Sequence, residues 1–247
     1  MWTWIHKLSS PRYFYDMSAK MIPWFALPAL VIGVYGLYLG LFVAPTDYQQ
    51  GESYRIIFIH VPAAWMSMFI YVVMAVSAGI GLIWQIRLAD VIAAASAPIG
   101  ASFTFVALAT GSLWGKPMWG TYWVWDARLT SELILLFLYF GYMALQSSIE
   151  DQRTADKASG LLAIVGVVNI PIIHYSVEWW NTLHQGATVA KFDKPSMHID
   201  MLIPLLLMAL AFKLFYVAMV LVRTRNEALY RDRNRRWVRD LFEAKKI

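Results

Sequence analysis

Trp114-Gly115-Lys116-Pro117-Met118-Trp119-Gly120-Thr121-Tyr122-Trp123-Val124-Trp125-Asp126 holds four of the chain's 12 tryptophans. Flat rings separated by small residues suit one kind of target, a large planar apolar ligand. Gly115 and Gly120 would let such a ligand approach the backbone closely. The chain also has five histidines and no cysteine. Neutral imidazole binds transition metals, and the hydrogen bond made by one ring nitrogen fixes which nitrogen is free to ligate. Lys116, Pro117 and Asp126 interrupt the aromatic stretch, so it reads as a loop, 113–128, between apolar spans.

The elements that must position these residues follow from hydropathy. The 247 residues are 59% hydrophobic and only 15% charged, with mean hydropathy +0.51. A soluble domain usually has about a quarter of its residues charged. The chain therefore reads as an all-α integral membrane protein. Six spans come near the roughly 20 residues needed to cross a bilayer: 22–43, 61–84, 91–113, 129–146, 159–177 and 201–222. In the fourth, only 133–145 is fully apolar, because Ser131 and Glu132 precede it. Pro62 is expected in the first turn of span two, where its missing N–H costs little. Residues 1–247 form one membrane domain with no soluble part and no internal repeat.

Lysine and arginine set the orientation. With the N-terminus inside, the inner segments hold Lys7, Arg12, Lys20, Arg87, Arg153, Lys157 and all nine basic residues of a tail, 223–247. The outer segments hold only Arg55, Lys116, Arg128, Lys191 and Lys194. Both termini are thus expected in the cytoplasm, and the pI near 9.3 reports an inner anchor that can touch anionic lipid rather than a nucleic-acid surface. This orientation places the tryptophan loop outside, together with His60, His174, His184 and His198; His6 lies inside.

These outer residues include every part of a haem site. Imidazole would bind the iron, tryptophan faces would hold the macrocycle, and Arg128 or Arg55 could grip a propionate with paired hydrogen bonds. Without a Cys-x-x-Cys-His segment, haem would be held non-covalently. Tryptophan also anchors proteins at membrane interfaces, and Trp24, Trp65, Trp84 and Trp237 read that way. Four rings at spacings of five, four and two exceed what an anchoring belt requires. Trp179 and Trp180 add two more rings close to His184. The residues alone leave four outer histidines as candidate ligands. His60, beside Pro62, and His184, beside the second tryptophan pair, are placed best. Asp126 and Glu132 could pair with Arg128 or cap the fourth span. Lys213 is the obvious charge within a span.

The Trp-Gly…Trp-Gly-x-x-Trp-x-Trp-Asp pattern, with an outer histidine on either side, resembles the WWD signature of membrane haem-handling proteins. Six spans in this length are most similar to the CcmC family of cytochrome c maturation. The resemblance implies haem b at the periplasmic face of the bacterial inner membrane, with His60 and His184 as axial ligands. Trp114, Gly115, Trp119, Gly120, Trp123, Trp125 and Asp126 would form the haem slot and chaperone contact. Haem would pass to the membrane-tethered chaperone CcmE. CcmD and the ABC subunits CcmA and CcmB would be partners, with ATP hydrolysis on a partner, since this chain has no Gly-x-x-x-x-Gly-Lys-Ser/Thr loop. The alternatives are a haem-translocating permease and a respiratory subunit with a b-type haem. Outer span-end histidines argue against the respiratory subunit, and a path with Lys213 as its obvious polar group argues against the permease.

Overall fold

The computed structural model describes residues 10–186, 188, 189, 191 and 194–243. His6, Lys7, Lys245 and Lys246 of the orientation argument lie outside the described residues. All six expected spans are helical, and each is long and apolar enough to cross a membrane. The chain is a multi-pass, all-helical membrane protein.

Helix α1 (Pro11–Tyr38) starts with proline in its first turn, where no N–H is required. It runs into a π-turn, Leu39–Val43. A β-carbon on Gly40 would lie 2.6 Å from the Phe58 ring, so only glycine lets this turn approach α2. A 3-10 turn, Glu52–Ile56, leads into α2 (Ile57–Trp84). Pro62 consequently lies in the sixth position of α2 rather than its first turn, because the helix begins earlier than hydropathy alone marks. Helix α3 (Arg87–Trp119) is followed by α4 (Ala127–Ser148), α5 (Gln152–Gly166), α6 (Asn169–Trp179), α7 (Ile199–Arg231) and α8 (Arg236–Glu243).

The fifth span is two helices, α5 and α6. Pro171 cannot donate to the Val167 carbonyl, and the chain there tightens into three-residue bonds such as Ile170 N–H to Val167 O at 2.9 Å. Helix α7 continues through Arg231, so the first part of the basic stretch 223–247 is helical. There the Arg231 side chain, 2% exposed, pairs with Asp156 and Glu227. This ion pair ties α7 to α5 at the end of the bundle opposite the tryptophan corner.

The core forms where α2, α3 and α4 meet. Alanines 93, 97, 101 and 107 of α3 leave room for Tyr71, Tyr139 and Tyr142, and all are buried. Small residues at helix contacts let backbones approach closely in lipid, where apolar side chains gain little by leaving the tails. Gly100 seats the Tyr139 ring and Gly166 the Tyr71 ring. Leu27, Leu30 and Val34 of α1 and Phe137 and Phe140 of α4 face outward, as a hydrocarbon solvent favours.

Candidate functional site

His60 sits one turn into α2, against α3. Its Nδ1 lies 3.0 Å from the Ala107 carbonyl and 3.1 Å from Thr110 Oγ1. A carbonyl only accepts, so Nδ1 carries the proton and Nε2 keeps a free lone pair. The ring fits because residue 111 is glycine; a β-carbon there would lie 2.9 Å from His60 Cε1. The Trp114 ring meets the imidazole edge-on, with centroids 5.7 Å apart. Its indole N–H is held by Gln50 Oε1 at 3.0 Å.

His184 reaches the same corner from the segment between α6 and α7. Its Nδ1 lies 3.0 Å from Asp126 Oδ2, and a carboxylate also only accepts, so Nε2 is again free. The Trp119 ring packs edge-on against it at 4.7 Å between centroids. Burial lowers the His184 pKa below the ordinary histidine value, opposed by the negative charge and hydrogen bond of Asp126. The imidazole is therefore neutral, the form that ligates metal.

Asp126 has two tasks. Its Oδ1 accepts the Leu129 N–H at 2.8 Å and caps α4, as the sequence allowed. Its Oδ2 orients His184, which nothing in the sequence foretells across 58 residues. The pattern of carboxylate, histidine and open ring nitrogen is the outer-sphere arrangement that supports metal-ligating imidazoles.

The tryptophan stretch is not all loop. Helix α3 runs on through Trp119 and ends at Gly120, whose φ of +76° gives the left-handed cap that favours glycine. At Gly115 the space goes to Trp119 itself: a β-carbon would lie 2.9 Å from Trp119 Cε3. Trp123 packs on the core, its N–H buried with no acceptor among the described residues. Trp125 lies edge-on to Trp123 at 5.3 Å and is 74% exposed. Trp114 and Trp119 thus line the imidazoles, Trp123 braces the turn, and Trp125 forms a surface.

Arg128 is within electrostatic reach of both imidazoles. Among the described residues its guanidinium makes one hydrogen bond, to the Ile173 carbonyl at 3.3 Å. Four N–H groups remain for an anion. Arg55 is engaged elsewhere, by Glu52 and by the Gly40 carbonyl at 2.8 Å. Trp179 stacks on Tyr175 at 5.3 Å, and Trp180 packs against Trp179. His174 is exposed beside Tyr175. His198 caps α7 with its side chain 65% exposed.

Sequence reasoning missed a polar interior beneath this corner. Glu132, only 7% exposed, accepts a hydrogen bond from Ser67 Oγ at 2.7 Å. Tyr139 O–H donates to the Ser67 carbonyl at 2.7 Å, and Asn169 donates to the Ser131 carbonyl at 2.9 Å. Lys213, the charge expected within span six, lies within α7 on an exposed face with its ammonium over the Phe69 ring. Buried polar groups come from residues that hydropathy averages away.

The fold and site define a class: a polytopic helical membrane protein that sets two neutral imidazoles, each with one open nitrogen, in a tryptophan-lined corner. The chain belongs to the CcmC family, described as heme exporter protein C, whose model matches residues 4–239. It is 53% identical over 243 residues to the heme exporter protein C of Escherichia coli, covering 98% of both chains. It is 51% identical over 246 residues to that of Haemophilus influenzae, covering 100% of both. A Marchantia polymorpha mitochondrial protein, whose name likens it to ccmC in cytochrome c biosynthesis, is 52% identical over 176 residues, 71% of this chain and 74% of that one.

Proposed function

We propose that the chain binds haem b non-covalently between His60 and His184 and presents it for cytochrome c maturation. Family membership supports haem handling in that process. The observation that carries the site is the pair of imidazoles, each with Nδ1 engaged and Nε2 open. Two axial ligands are what an iron already held by four porphyrin nitrogens lacks. Trp114 and Trp119 offer apolar faces for the macrocycle. Arg128 has donors to spare for a propionate, whose burial without a cation would be costly. Haem supplies the redox-active iron; the protein's own residues hold, orient and shield it.

The proposed setting is the bacterial inner membrane, with the tryptophan corner periplasmic and both termini cytoplasmic. The biased distribution of Lys and Arg supports this orientation. The exposed Trp125 and Tyr122 would offer a surface to a CcmE-type chaperone. CcmD and the ABC subunits CcmA and CcmB would complete a heme exporter complex and supply ATP hydrolysis. Reporter fusions at Tyr122, combined with a haem-transfer assay to CcmE, test the reading. A periplasmic signal and loss of haem-loaded CcmE in His60→Ala and His184→Ala are expected. A cytoplasmic signal, or full transfer by both variants, would overturn it.

A further inference from the structure

We propose that haem loading is coupled to protonation of Glu132, the buried carboxylate beneath the site. This rests on the haem reading above and extends it. Glu132 lies one turn below Arg128 on α4 and is 7% exposed. Its carboxylate makes one hydrogen bond among the described residues, from Ser67. The Arg128 charge reaches it without direct contact, since no ion pair within 4.0 Å joins them among the described residues. In the haem-free protein Arg128 is the cation whose charge acts on Glu132, alongside the Ser67 hydrogen bond.

The other groups facing Glu132 do not share that task. Tyr139 on its own helix and Tyr71 on α2 are buried phenols. Tyr216 of α7 has its hydroxyl bonded to Ser96. Helix α3 has no titratable side chain between Asp90 and Lys116, and the charged residues of α5 are confined to its first turns. Helix α6 presents Asn169 and the Ile173 carbonyl, while its His174, Tyr175 and Glu178 are exposed. At the site itself, Asp126 is committed to His184 and the α4 cap, and the imidazoles are neutral donors of lone pairs to iron.

Ferric haem carries two propionates against a single excess positive charge on its iron–porphyrin core. Its arrival adds net negative charge beside Arg128 and claims the guanidinium. Glu132 then loses its counter-ion inside a low-dielectric bundle, where an unpaired carboxylate is far more costly than its neutral acid. One proton moves from bulk water to a Glu132 oxygen, forming an O–H bond, and the local charge balances. Release of haem reverses the step. Haem affinity thereby carries a proton dependence that neither the iron nor its ligands require.

The test is calorimetric titration of ferric haem into the detergent-solubilised haem-free protein at mildly alkaline pH, where Glu132 starts as the carboxylate, repeated in buffers of different ionisation enthalpy. The buffer dependence gives the protons taken up per haem bound. Wild type is expected to take up more protons than Glu132→Gln, by up to about one per haem, and its affinity to fall by up to about tenfold per pH unit from this linkage. Equal uptake by both proteins would overturn the inference while leaving the haem reading intact. Failure of wild type to bind haem would overturn that reading first. If Glu132→Gln does not accumulate, infrared difference spectra of wild type decide. A protonated-carboxyl C=O band that appears on haem addition and shifts when the protein's glutamates are 13C-labelled supports the proposal, and its absence refutes it.

Discussion

Asp126 offers the sharpest way to separate scaffold from site. Its two carboxylate oxygens act separately, Oδ1 capping α4 through Leu129 and Oδ2 holding His184. Asp126→Ala removes both. Loss of the cap costs about 1 kcal/mol of stability. Loss of an orienting outer-sphere carboxylate costs about 10–100-fold in metal affinity. Asp126→Ser divides the two effects, because serine caps well but is too short to reach His184. It should restore most of the stability lost in the alanine variant and none of the haem affinity. Asp126→Asn gives a second view. With its Oδ1 kept on Leu129, its amide would donate to His184 Nδ1, moving the ring proton to Nε2 and blocking the iron-binding lone pair. The assay is haem titration followed by Soret absorption, paired with thermal unfolding of the haem-free protein. Wild-type haem affinity in the serine and asparagine variants would refute the role assigned to Asp126.

Two further outcomes follow from the same geometry. Gly111→Ala places a methyl 2.9 Å from His60 Cε1, should cost about 1–3 kcal/mol of stability through overpacking and should weaken haem binding by displacing the imidazole; Gly186→Ala, which meets nothing within 4 Å, is the control, and equal effects would contradict the packing argument. His184 should titrate below the ordinary histidine value of about 6.5 in the haem-free protein, because burial disfavours its charged form. As pH falls, the unfolded chain then takes up the proton first, so this group's contribution to stability is present above about pH 6.5 and is lost progressively as pH falls from that value to the lower folded-state pKa. Histidine NMR showing His184 titrating above it would contradict this.

Much of the fold was legible because hydrocarbon imposes a simple rule: about 20 apolar residues per crossing. That rule located all six spans, including the fourth despite Glu132. It could not mark the true helix ends, because helices continue past the apolar run whenever their backbone bonds can, as α3 does through Trp119 and α7 through Arg231. The glycines of the tryptophan stretch were legible as special but not in detail. Gly120 makes the turn and Gly115 seats Trp119, a distinction that depends on where the ring folds back. The pairing of His184 with Asp126 was invisible, since it joins a loop to a helix cap far away in sequence. So was the interior of Glu132, Ser67 and Tyr139, whose members sit among apolar neighbours on separate helices.

The central claim is that one haem iron lies between His60 and His184. Electron paramagnetic resonance of the purified ferric-haem protein tests it most directly. A low-spin bis-imidazole signal is predicted for wild type and for His174→Ala and His198→Ala. That signal should be lost, or replaced by a high-spin one, in His60→Ala and in His184→Ala. A bis-imidazole signal that survives in either of the last two variants would contradict the account.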